Sequence, residues 1–128
     1  MQEIFYKVVS VENGKIYPAT KFILCKMGSC RVAVTGQYFI GQTALPETGC
    51  GPISAFTSIQ SARKFLAIIN EFADSSKFQT PGVTYEVYEC EGIISNEKEL
   101  WNSTKERNSI ANFDNKITLG SIKLIKKI

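Results

Sequence analysis

Any chemistry in this chain has to be done without histidine. That removes Ser-His-Asp and Cys-His catalysis and every zinc site that includes histidine. Four cysteines remain, Cys25, Cys30, Cys50 and Cys90. Cys25 and Cys30 have four residues between them and the other two are solitary, so the paired knuckles of a four-cysteine metal site are missing. Cys50 sits between Gly49 and Gly51, where the N–H groups of a tight turn would lower a thiol pKa. With no histidine as base, a structural thiol is the stronger reading. Glu86, Glu89 and Glu91 bring three carboxylates onto one strand. Glu89 and Glu91 share a face at roughly 6–7 Å, twice the strand rise. Paired catalytic carboxylates normally face each other across a cleft from different elements, so a solvated strand face fits these better. The Gly49-Cys50-Gly51 turn is too short for a Walker loop or a dinucleotide fingerprint. It can still present backbone N–H groups to an anion. Arg31, Tyr38 and Phe39 could line the same cleft, guanidinium for phosphate and ring for base, although both rings equally suit sheet packing. The candidate ligand-binding set is Arg31, Tyr38, Phe39, Gly49, Cys50, Gly51 and Ser54. No catalytic residue, metal or cofactor is expected.

The elements that must position these residues centre on residues 49–70. After the glycine turn, Ile53, Ala55 and Phe56 mark a short apolar strand. Thr57 with Gln60 reads as a capping box, opening an amphipathic helix over 57–73. Ile59, Ala62, Leu66, Ile69 and Ala73 share its apolar face, widened by Phe65, Ile68 and Phe72. Upstream, Ile4 to Val9 reads as the first strand and Asn13-Gly14 as a type I′ hairpin turn. Lys15 to Tyr17 returns as a second strand, which Pro18 stops. Residues 18–30 fit either a strand or a helical turn. Arg31–Thr35 and Gln37–Ile40 read as strands broken at Gly36, and Gly41–Gly51 as a long loop. Downstream, Val83 to Glu91 alternates cleanly, with Val83, Tyr85 and Val87 on one face and Thr84, Glu86, Tyr88 and Cys90 on the other. Asn96 with Glu99 opens a second, shorter helix to about Arg107, anchored by Leu100 and Trp101. Residues 116–128 form terminal strand, as one strand if a bulge lies at Gly120-Ser121. The sum is an α+β fold in a single domain spanning 1–128, mainly antiparallel sheet packed by one principal helix and a shorter second one.

With 128 residues, this chain can bury a real core without staples. The net charge of +3 is uneven. Lys116, Lys123, Lys126 and Lys127 lie in the last 13 residues with no acid, leaving 11 bases against 12 acids in the rest. A near-neutral body argues against extended nucleic-acid binding, and the lysine tail reads as a solvated strand edge. No signal peptide and no apolar run of about 20 residues is visible, so a cytoplasmic chain with free thiols and no membrane partner is expected.

The run Tyr38-x-Ile40-Gly41, Gly49-x-Gly51, Phe56-x-Ser58, Ala62-x-x-Phe65 and Tyr85-Glu86-Val87 resembles a class of small viral and bacterial α+β proteins. The same order of glycine turn, aromatic strand, helix and glutamate-bearing strand is similar to part of the ADP-ribosyltransferase fold. That second resemblance implies a catalytic glutamate at Glu89 or Glu91 and a serine motif near Ser54 or Ser58, while the first strand lacks that pattern's histidine or arginine. The Lys-, Ile- and Asn-rich composition fits a phage protein from an AT-rich genome. Two functions follow as expectations. The first is a non-catalytic binding protein, possible homo-oligomer included, that counters a host defence by sequestering a nucleotide-like ligand or covering a host protein. The alternative is an enzyme that processes NAD or ADP-ribose.

Overall fold

Asn13 and Gly14 adopt φ values of 53° and 77°, the left-handed pair that a type I′ turn demands. They join β1 (Glu3–Glu12) to β2 (Lys15–Pro18) with Val11 opposite Ile16. In the computed structural model the described residues are 3–19, 37–45, 53–74, 82–95 and 115–128. They add β3 (Thr43–Ala44), β4 (Ile53–Phe56), α1 (Ile59–Asp74), β5 (Val83–Ile94) and β6 (Lys116–Lys127). The shorter helix expected from Asn96 and the strand Arg31–Thr35 lie outside the described residues.

All six strands belong to one antiparallel sheet that closes on itself. β1 pairs along its whole length with β5, from Glu3 opposite Gly92 to Glu12 opposite Val83. β5 pairs with β6 on its other side. The four residues of β4 complete the ring: Ile53 to Phe56 lie against Leu119 to Lys116 of β6, and Phe56 also pairs with Tyr6 of β1. Closure of this kind removes exposed strand edges.

Two clusters fill the structure, sorted by the alternation of the strands. Inside the barrel lie Phe5, Val9, Ile16, Tyr88, Cys90, Leu119, Ile122 and Leu124. Outside, Val8, Phe56, Tyr85 and Val87 pack under Ala62, Phe65 and Ile69 of α1. The expected split of β5 into a Tyr85–Val87 face and a Tyr88–Cys90 face is therefore the split between helix-facing wall and interior. In β6 the interior residues change from odd to even numbers between Leu119 and Ile122. The cause is a bulge: Ile94 pairs with Leu119 and Ile93 with Ser121, leaving Gly120 as the extra residue. One continuous strand with a bulge at Gly120-Ser121 is what the sequence allowed.

Gly92 shows how tightly the barrel turns at this end. A Cβ placed there would lie 2.8 Å from both the Leu119 Cδ1 and the Ser121 backbone oxygen. Leu119 could swing away, but the carbonyl belongs to the ladder. Gly92→Ala is expected to cost about 1–2 kcal/mol through overpacking, read by chemical denaturation. An unchanged midpoint would mean that the β5–β6 corner yields.

Several expectations need correction. The helix is capped by Ser58, whose Oγ accepts from the Gln60 and Ser61 N–H groups at 3.2 and 3.4 Å. Thr57 is occupied elsewhere: its N–H donates to the Asn115 carbonyl at 2.8 Å, fixing the start of β6 to the start of α1. Phe65, not Leu66, holds the centre of the buried stripe, with Leu66 half-buried at its flank and Ile68 exposed. The side chains of Phe72 and Ala73 lie outside the described ones. Gln37–Ile40 is not a strand; only Tyr38 bridges, to Ile16. The chain turns at once, Gln42 N–H donating to the Phe39 carbonyl at 3.0 Å and Gly41 taking a φ of 82°. Within the expected loop 41–51, Thr43 and Ala44 pair with Lys123 and Ile122. β6 is paired on both sides from Leu119 to Lys123, whereas its end at Lys126 and Lys127 pairs with β5 alone. Lys126 and Lys123 stand opposite Glu89 and Glu91 in the register, and Lys127 makes an ion pair with Glu86 at 3.1 Å. The basic tail and the acidic strand thus neutralise each other across two strands, a cross-strand preference that needs the pairing to be visible.

Candidate functional site

β1 changes partner in mid-strand. Along one edge, Val9 to Glu12 pair with β2, while Tyr6 pairs with Phe56 of β4. The chain between them, Lys7 and Val8, faces a gap in the barrel wall. Pro18 and Ala19 bound it on the β2 side, Ser54 and Phe56 on the β4 side, and Phe65 of α1 roofs it. The gap holds a cavity of about 30 Å³.

Lys7 is the side chain that makes this gap chemically distinctive. Lying between Phe5 and Val9 it is drawn to the interior face, and it is 7% exposed. Its Nζ donates to the Ser54 carbonyl oxygen at 2.7 Å, a bond across the gap from β1 to β4. No carboxylate lies among the described lining residues. Burial pulls its pKa down to about 8, with the neighbouring Cys90 opposing the fall. Cys90 itself is a free, fully buried thiol. Burial pushes its pKa up to about 12, against the attraction of Lys7. A thiol held so far from ionisation is a poor nucleophile at neutral pH.

Among the described residues proposed from sequence, Ser54 is the one on this cavity. Tyr38 is buried in the barrel interior, 8% exposed, with its N–H bonded to the Ile16 carbonyl at 2.7 Å. Phe39, the next residue, is 54% exposed. The two rings therefore do not converge on one ligand. Arg31, Gly49, Cys50 and Gly51 lie outside the described residues. Glu89 and Glu91 sit on the outer wall facing the β6 lysines, away from the cavity. Among the described residues no group of three or more acidic, cysteine or histidine side chains could hold a metal ion. Nor is any described helix long and apolar enough to cross a membrane.

Lys7 was readable and missed. In Ile4-Phe5-Tyr6-Lys7-Val8-Val9 strict alternation puts the lysine on the same face as Phe5 and Val9, and a lysine on a buried strand face is the signal.

A second feature is apolar and exposed. Leu45 is 70% exposed and follows Ala44, whose partner is Ile122, so it falls beside Ser121. Ser121 in turn stands opposite Ile93, 58% exposed. Ile4, opposite Glu91, lies one diagonal further and is also exposed. Leu45, beyond the end of β3, Ile93 on β5 and Ile4 on β1 thus lie near one another on the outer wall, with Ser121 between Leu45 and Ile93; Phe39 and Ile40, each 54% exposed, precede β3 on the far side of Thr43. No protein-family model, no curated protein and no solved structure matches this chain.

Proposed function

We propose that this chain is a non-catalytic binding protein that counters a host defence by covering a host protein. The observation that supports covering over ligand capture is the group of exposed apolar side chains Leu45, Ile93 and Ile4 on the outer wall. Large apolar side chains exposed close together and bordered by polar groups are a usual mark of a protein contact. Here the rim is Lys123, Glu91 and Thr43, so the favoured partner surface is apolar at its centre with paired charges at its border. Sequestering a nucleotide draws no comparable support: the cavity at Lys7 is far smaller than the ~300 Å³ at which ligand pockets begin. The phage origin rests on composition and resemblance, not on geometry.

The reading predicts that Leu45→Glu with Ile93→Glu abolishes countermeasure activity in a host cell while the far-ultraviolet spectrum and unfolding midpoint stay as in the parent. Each side chain is exposed, so its replacement has little folding cost. Incubation with NAD and a panel of nucleotides, followed by chromatography, separates the alternatives. All compounds should return unchanged and undepleted. A product would establish the NAD- or ADP-ribose-processing enzyme, and depletion without product would establish nucleotide capture; either overturns covering.

A further inference from the structure

We propose that the gap between β2 and β4 is a binding site for one small monovalent anion of about chloride size, held on the Lys7 ammonium. Two features converge there. Lys7 is more than nine-tenths buried, and among the described residues its Nζ makes one hydrogen bond, to the Ser54 carbonyl. An ammonium has three N–H donors, so two remain for something in the cavity. Second, among the described residues no carboxylate lines the cavity and no ion pair reaches Lys7. A buried cation without a counter-charge is costly, and an anion brought into contact in a low-dielectric surround offsets that cost.

Size and wall chemistry select the occupant. The cavity of about 30 Å³ admits one or two water-sized spheres, each of which needs about 10–15 Å³. Phosphate esters and nucleotides are excluded. A buried water would want two to four polar partners, and here most of the wall is Val8, Pro18, Ala19, Phe56 and Phe65. A monatomic anion needs one strong positive charge and tolerates apolar walls, which is what the site offers. The lowered Lys7 pKa, about 8, still leaves the amine mainly protonated at pH 7, and a bound anion would draw it back toward 10.5.

The test compares chemical unfolding at pH 7 in sodium chloride and in sodium gluconate at equal ionic strength, gluconate being too large to enter. Chloride is expected to raise the midpoint in a saturable way, and Lys7→Met should remove the difference. Crystals of the parent protein grown with bromide should show an anomalous peak within hydrogen-bonding reach of the Lys7 Nζ, an observation that does not depend on the variant folding. Equal midpoints in the two salts, a chloride effect that survives Lys7→Met, or bromide confined to the surface would each overturn the site.

Discussion

Phe56→Ala is expected to lower the unfolding free energy by about 3–5 kcal/mol, the usual range for truncating a buried phenylalanine. Phe56 is 1% exposed and its ring meets that of Phe65 at 5.6 Å and 44°, a tilted aromatic pair. Its backbone carries more than its side chain. It is the residue of β4 that pairs with both Tyr6 and Lys116, so the core contact under α1 and the closure of the ring meet at one position. Truncation leaves a void beside the existing cavity, between helix and sheet, where neither wall is free to collapse. Urea denaturation measures the loss. A change below about 1 kcal/mol would mean that α1 is not seated on the sheet through this ring.

The second large effect is the opposite of a loss. Lys7→Met should raise stability at pH 7 in chloride-free buffer by about 2–3 kcal/mol, because it replaces a buried charge by an apolar side chain of similar length. The pH profile gives the same quantity independently. Folding lowers the Lys7 pKa from 10.5 to about 8, so between those values the unfolded chain binds the extra proton and stability rises with pH. Folding raises the Cys90 pKa from 9.0 to about 12. Above pH 9 the unfolded thiol is the first to ionise, and this contribution falls with pH. Tyr88, pushed up by burial and by Glu86 against the pull of Lys127, also favours a decline at high pH. The parent should therefore gain about 1 kcal/mol from pH 8 to 9, hold level to about 10.5, then weaken. Cys90→Ala should extend the rise toward pH 10.5, and Lys7→Met should abolish it. A flat profile in the parent between pH 8 and 9 would place Lys7 in contact with water.

Local patterns in the sequence were legible where their cause is local. The Asn13-Gly14 turn needs two residues that tolerate positive φ, and the alternation of Val83 to Glu91 needs one buried face on each side. The 3.6-residue stripe of α1 carries Ala62, Phe65 and Ile69 inward without reference to anything distant. Ring closure was not legible, because β4 offers four residues and no local feature says that both its edges are used. The same blindness hid the acidic partners of the β6 lysines, since Glu86, Glu89 and Glu91 reach them only through a register set by remote pairing. At the candidate site, Ser54 was named alongside a serine motif implied by resemblance, whereas its structural part is a backbone carbonyl for Lys7. A carbonyl is present at every residue and leaves no trace in residue type. Tyr38 and Phe39 looked like a pair because they are adjacent, but Tyr38 is buried in the barrel and Phe39 is exposed.

The long pairing of β1 with β5 has a consequence for how the chain is made. The β1–β2 hairpin can form as soon as its turn has been synthesised, yet the other side of β1 has to wait for Val83 to Gly92. Partners so remote in sequence make folding slow relative to helical domains of this size. During that interval the nascent hairpin presents Phe5, Val8 and Val9 beside a row of unsatisfied amide and carbonyl groups, the template on which strands of different molecules join. Yield on expression should therefore respond to translation speed and temperature more steeply than the finished barrel's stability would imply. A peptide copy of Val83–Ile94 supplied in excess during refolding should compete for the same open side.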